Sequence, residues 1–245
     1  MQGVLYRDLG LVSYQEAWDF QTAIHKALVD EKLSKRPLEP GAYPQLHQLL
    51  LLEHPHVYTL GKSGSLDHLL LSEPELLQRG IEYYPINRGG DITYHGPGQL
   101  VGYPLLDLEC FFRDVHKYVR NIEEVIIRTL QEYDLEATRI PEYTGVWITA
   151  APKPGSRVRP ENQDKKRKLC AIGVHLSRWV SLHGWAFNVN TQLEYFDFIV
   201  PCGIVDPDKT VGSLATELGK EVDMNDIKLH IKRHFSAVFE CEMID

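Results

Sequence analysis

Residues 88–108 run RGGDITYHGPGQLVGYPLLDL. Ile92–His95 carries strand-forming residues, Gly96-Pro97-Gly98 has turn composition, and the segment from Gln99 to Leu108 returns as a second apolar run. The stretch therefore predicts strand, turn and strand, a glycine-built hairpin. Antiparallel pairing of this kind does not suit a doubly wound sheet, whose parallel strands need crossover helices, and it points to a mixed sheet.

The flanks agree. On the N-terminal side, Ser13 and Glu16 form a capping box before Ala17, Phe20, Ile24 and Leu28, which predicts a helix over about 14–33. Lys35–Pro44 has loop chemistry, and Gln48–Glu53 (QLLLLE) has the length and composition of a buried central strand. A short helix with Pro74 in its first turn and Gly80 as its stop precedes a strand at Ile81–Ile86. On the C-terminal side, Asp114 caps a helix to about Tyr133, with Val115, Val119, Ile122, Ile126 and Leu130 on one face. Strands follow near 145–149, 168–177 and 180–190. Ser213 starts a short helix, and Asp223 or Asn225 starts a last one ending near Phe239. Helices and strands alternate irregularly, so the fold class is α/β of the mixed-sheet, α+β type.

With 245 residues, 43% hydrophobic and 24% charged, the chain has enough apolar surface for one folded core. The net charge of −8 disfavours a general nucleic-acid binder, which needs positive charge to displace counterions from phosphates. No run approaches the length of a membrane helix, and the N-terminus has no signal or transit character. Four dispersed cysteines, Cys110, Cys170, Cys202 and Cys241, form no CxxC pair, which points to a reduced, cytoplasmic setting. One segment breaks the acidic composition. Residues 153–168 hold seven basic residues against two acidic ones, and the prolines and glycine among them make about 152–167 an exposed basic loop.

Two apparent sites fail on inspection. Gly61-Lys62-Ser63 ends like a phosphate-binding loop, yet the required earlier glycine is His56. His230 and His234 lie four apart on the last helix with no third ligand marked, so no metal is assigned. Three stretches hold more. Four glycines within 88–98 admit close backbone approach, beside the polar groups of Arg88, Thr93, Tyr94 and His95. Cys202, between Pro201 and Gly203, follows the apolar run 196–200 where a strand would leave the sheet. Lys168 shares one face of a strand with Cys170 and Ile172. Each has a plain alternative: a hairpin without ligand, a small buried thiol, a snorkelling lysine.

Taken together, RGGDITYHGPGQLVGYPLLDL at 88–108, KLCAIGVHLSRWVSLHGWAFNVN at 168–190 and VPCGI at 200–204 resemble the lipoyl(octanoyl) transferase family. These enzymes are octanoyl-acyl carrier protein:protein N-octanoyltransferases. The resemblance spans nearly the whole chain and implies one catalytic domain of the biotin/lipoyl protein ligase type over 1–245, a mixed sheet flanked by helices. The basic loop at about 152–167 is then an insertion. It implies Cys202 as an acyl-accepting nucleophile with Lys168 as its partner. It places acyl-binding positions on Arg88, Gly89, Gly90, Asp91, Ile92, Thr93, Tyr94 and His95, on Ala171, Ile172 and Gly173, and on Gly184, Trp185 and Ala186. His95 and His183 line the site without a proton-transfer role. The implied partners are octanoyl-acyl carrier protein, the lipoyl domains of 2-oxoacid dehydrogenase complexes and the glycine cleavage H protein, with no nucleic acid and no membrane. No cofactor is implied, since the donor carries its own phosphopantetheine. Two alternatives compete: an ATP-dependent lipoate or biotin ligase of the same superfamily, and a non-catalytic acyl-carrier-binding module.

Overall fold

The computed structural model describes residues 1–35, 46–200 and 206–245. Its main sheet has nine strands among the described residues: β1 (Gln2–Leu11), β2 (His47–Glu53), β6 (Gln99–Leu105), β7 (Thr138–Ile140), β8 (Tyr143–Ile148), β9 (Lys166–Ser177), β10 (Val180–Asn188), β11 (Lys209–Val211) and β12 (Cys241–Ile244). The order is β12-β1-β2-β6-β10-β9-β8-β7, with β11 paired to β9. β1 lies parallel to β2 and β12, whereas β2–β6, β6–β10, β10–β9 and β9–β8 are antiparallel, so the sheet is mixed as expected. A second sheet of three strands has the order β4 (Glu82–Pro85), β3 (Val57–Leu60), β5 (Ile92–His95).

The leucine run of β2 shows how the layers form. Leu49 and Leu51 join the core made with α3 (Val115–Gln131) and α5 (Met224–Phe239). Leu50 and Leu52 point the other way, toward α1 (Tyr14–Ser34). A strand covered on both faces reads as a continuous apolar run, which is why its sequence shows no alternation. α1 begins at Ser13, whose hydroxyl accepts the Glu16 amide, and α3 at Asp114, whose carboxylate accepts the Lys117 amide at 2.9 Å. The buried face of α3 is Tyr118, Ile122, Val125, Ile126 and Leu130, while Val115 is exposed. α2 (Glu73–Arg79) ends at Gly80 in the left-handed conformation, and Ser213 caps α4 (Leu214–Leu218).

Three expectations are corrected. The strands on either side of Gly96-Pro97-Gly98 do not pair as a hairpin: β5 bonds to β3 in the small sheet and β6 to β2 and β10 in the large one. The turn is a corner between two sheets. The apolar segment before Cys202 is not a strand, because Leu193–Phe198 forms a 3-10 helix and Ile199 makes a single bridge to Leu69. The exposed basic loop ends earlier than expected, since β9 begins at Lys166 and Arg167 is fully buried. The expected loop Lys35–Pro44, apart from Lys35 itself, and the Pro201–Ile204 stretch, Cys202 included, lie outside the described residues. No helix of the described residues is long and apolar enough to cross a membrane.

Candidate active site

The corner at 88–95 faces the middle of β9 and β10, and a cleft lies between them. Of the expected acyl-binding positions, Arg88, Gly89, Gly90, Thr93, His95, Ala171, Ile172, Gly173, Gly184, Trp185 and Ala186 line it. The backbones touch closely: the Gly89 amide donates to Val174 O at 3.1 Å. A Cβ on Gly173 would stand 2.8 Å from Gly89 O, so only glycine permits this approach. Asp91, Ile92 and Tyr94 do not line the cleft. Ile92 and Tyr94 pack into the core of the small sheet, and Asp91 turns to His68 and the Ile92 amide. Period-two alternation of β5 explains the split for Ile92 and Tyr94 against Thr93 and His95.

Two tyrosines that the sequence did not mark also line the cleft, Tyr14 and Tyr103, together with His183. Tyr14 starts a helix and Tyr103 sits in a seven-residue strand buried throughout, so neither carried a local signal. Polar groups at the cleft form a chain. Arg88 donates to Thr59 O at 2.7 Å and to Thr59 Oγ1 at 3.0 Å, and His95 Nε2 lies 3.4 Å from that same hydroxyl. Gln99 Nε2 donates to Tyr94 O and Asn188 Oδ1, so its carbonyl must accept from His95 Nδ1, at 2.8 Å. Burial holds His95 neutral, well below the usual histidine range, and the Arg88 charge acts in the same direction. Burial likewise lowers His183 to about 3 and His54 to about 4. Aromatic rings, neutral imidazoles and glycine backbone thus make up most of the wall, with the Arg88 guanidinium tied back to Thr59.

Lys168 is 7% exposed on β9 and is not among the cleft-lining residues. Its ammonium sits 4.8 Å above the ring of the fully buried Trp147, an arrangement worth about 2 kcal/mol when desolvated. β11 pairs with β9 through Val211 opposite Lys168, and the Gly212 amide donates to Lys168 O at 3.0 Å. On the other flank of the undescribed 201–205 segment, the Val200 amide donates to His68 O at 2.8 Å. The chain that carries Cys202 therefore returns into hydrogen bonding beside Lys168. Cys170 is no rival nucleophile, because burial pushes its thiol well up despite the nearby Lys168 charge. Cys241 is raised to about 11, again by burial.

The two dismissed motifs also find their places. The amides of Gly61, Lys62 and Ser63 are committed to Asp91 O, Arg88 O and Gly90 O, leaving none of the three for a phosphate. Glu132 supplies the third donor beside His230 and His234, all within 4.8 Å of one another. Arg233 Nη2 already stands among them, 3.2 Å from His230 Nδ1 and 3.4 Å from His234 Nε2.

The lipoyl protein ligase A/B catalytic domain matches residues 13–236. The chain belongs to this family. An octanoyltransferase of Cytophaga hutchinsonii is 50% identical over 245 residues, covering 98% of the chain and 93% of that protein. The octanoyltransferase of Christiangramia forsetii is 49% identical over 238 residues, covering 97% of the chain and 96% of that protein. Among solved structures, the bipartite lipoate protein ligase of Thermoplasma acidophilum superposes with a TM-score of 0.66 at 17% identity, over 100% of the chain and 86% of its own. That likeness carries the fold alone: a lipoyl ligase-type mixed sheet flanked by helices.

Proposed function

We propose that the chain is an octanoyltransferase that moves an octanoyl group from octanoyl-acyl carrier protein to the lysine amine of lipoyl domains, through a thioester on Cys202. The return of the chain through β11 beside Lys168 supports this reading, because the described residues that follow the Cys202 segment pair with the strand that carries Lys168. An ordinary thiol is only about 3% ionised at pH 7, so a nearby ammonium is needed to raise the thiolate fraction. Lys168 supplies that charge. The thiolate attacks the donor carbonyl, the bond to the pantetheine sulfur breaks, and the departing carrier thiolate takes its proton from the Lys168 ammonium, leaving Lys168 as a neutral amine. The acceptor amine then attacks the enzyme thioester, an amide bond forms, and Cys202 departs as thiolate. With its counter-ion consumed in the first step, Lys168 accepts the amine's proton in the second.

The cleft contributes binding. Six methylenes of a C8 chain at about 0.8 kcal/mol each offer roughly 5 kcal/mol, enough to favour C8 over C4. The acceptors are lipoyl domains, including those of 2-oxoacid dehydrogenase complexes, and the glycine cleavage H protein. Because a thioester is already activated, the transfer uses no ATP.

Incubation with octanoyl-acyl carrier protein, without ATP, followed by intact-mass measurement tests this. The wild-type chain gains one octanoyl group, and Cys202→Ser gains none while remaining folded. Acylation of Cys202→Ser, or a requirement for ATP, would overturn the reading and favour the ligase; no capture by the wild type would favour a binding module.

A further inference from the structure

The surroundings of Lys168 form a continuous stack that nothing in the proposed chemistry has yet used. Trp147 and Tyr143 come from β8, with ring centroids 6.1 Å apart and planes at 82°, edge to face. The Trp147 indole N–H donates to Tyr143 O at 3.1 Å, which fixes the indole plane. One face of that indole lies under the Lys168 ammonium at 4.8 Å. At the other end, Lys209 lies over the Tyr143 ring at 4.4 Å and bonds Asp206 Oδ2 at 2.8 Å and Asp208 Oδ1 at 3.0 Å. The Tyr143 hydroxyl donates to that same Asp206 oxygen.

The backbone of β8 is shaped for this arrangement. Gly145 has φ +131°, and a Cβ there would meet Cys170 O at 2.4 Å and the Lys168 side chain at 3.1 Å. Its amide donates at 3.0 Å to Glu123 Oε1, a fully buried carboxylate reached from α3. Between Val146 and Trp147 the register with β9 shifts, so that Trp147, and not its neighbour, stands opposite Lys168.

We propose that Trp147 and Tyr143 are positioning residues for Lys168: the indole face holds the ammonium in place, and the phenol locks the stack to Asp206, four residues beyond Cys202. An aromatic face suits this task. It attracts a cation through its quadrupole without giving it a carboxylate, which would compete with a thiolate for the same charge. A lysine held this way keeps its charge available to a neighbouring sulfur. Asp206 and Asp208 face Lys209 and Lys166 instead, so their charge is absorbed away from Lys168.

This inference rests on the reading of Lys168 and Cys202 as partners, and the test separates the two. Peptide-resolved alkylation of Cys202 against pH is measured for wild type, Lys168→Met, Trp147→Leu, Trp147→Phe and Tyr143→Phe. The wild-type midpoint should lie well below the ordinary thiol value of about 8.5. Lys168→Met should return it there. Trp147→Leu should move it at least half a pH unit in the same direction and slow acyl capture about tenfold, with KM for octanoyl-carrier nearly unchanged. Trp147→Phe, which keeps a ring face, should stay within threefold of wild type. Tyr143→Phe should give a smaller shift of the same sign, and it keeps the proposal testable where Trp147→Leu fails to fold. Lys168→Met shifting the midpoint while folded Trp147 and Tyr143 variants leave it unmoved would overturn this inference and spare the catalytic reading. An unmoved midpoint in Lys168→Met would overturn both.

Discussion

Adjacent residues of one basic run have opposite fates. Lys166 is half exposed and pairs with Asp208, whereas Arg167 is 1% exposed and grips Glu217 of α4 at 2.5 Å and 3.2 Å while also donating to Lys165 O and Ala150 O. Alternation along β9 turns one side chain outward and the next inward. Removing one partner of a buried, hydrogen-bonded ion pair strands the other charge, so Arg167→Met should cost about 3–5 kcal/mol in chemical denaturation. Lys166→Met should stay within about 0.5 kcal/mol, since exposed pairs contribute little. Equal losses would show that the charge run acts as a surface unit. Gly173 gives a second contrast at this scale. Gly173→Ala forces a carbon against Gly89 O and Arg88 Cδ, which should push the 88–90 corner away from β9. Transfer activity should fall about tenfold, with the loss in KM for the octanoyl donor, as steady-state kinetics will show.

At the scale of elements, the α3 cap and the basic loop make separate claims. Asp114 accepts the Lys117 amide at the start of α3, and Asp114→Ala should cost about 1 kcal/mol of stability with transfer rates unchanged. In the basic loop, Lys153, Arg157, Arg159 and Lys165 are at least partly exposed, where the proposed acidic carrier would meet them, although Lys153 also touches Asp134 O and Arg159 lies 3.5 Å from Asp197. Replacing these four by glutamine should raise KM for octanoyl-carrier several-fold at low salt. The difference should fade near 0.15 M, where the Debye length is about 8 Å, and be absent with a short neutral octanoyl thioester. Equal losses with both donors would mean that the loop shapes the cleft. Helix boundaries, set by local caps and periodic faces, were legible in the sequence; the partners of short strands were not. β1 buries only Val4 completely along its ten residues, so no alternation marked it, and β3, β7, β11 and β12 are too short to show a period.

For the whole molecule, buried histidines couple folding to acidity. Burial lowers His47 and His54 to about 4 and His183 to about 3, whereas an unfolded histidine takes up its proton near 6.5. Between those values the unfolded chain binds more protons, so this contribution to stability is fully present above about pH 6.5 and is lost as pH falls toward 4 and, for His183, toward 3. Each histidine contributes a slope of about 1.4 kcal/mol per pH unit in that window. Urea titrations at pH 7, 6 and 5 should show the decline, and His54→Gln should flatten it by about one proton. An unaltered slope would mean that His54 is not held neutral in the fold.

The sequence alone determined the mixed-sheet class, the main helices with their caps, and the family, because caps, apolar faces and ordered motifs are encoded over a few neighbouring residues. The family resemblance also supplied most of the cleft wall, Arg88–Gly90 and Ala171–Gly173, while the glycines of 88–98 by themselves announced close backbone approach. Tertiary structure alone decided that the Gly96–Gly98 turn is a corner between sheets and that Asp91, Ile92 and Tyr94 face away from the cleft. It alone brought in Tyr14 and Tyr103, placed Glu132 beside His230 and His234, and set Trp147 under Lys168. These contacts join residues far apart in the chain, and strand pairing and helix packing, which leave no trace in either segment by itself, bring them together.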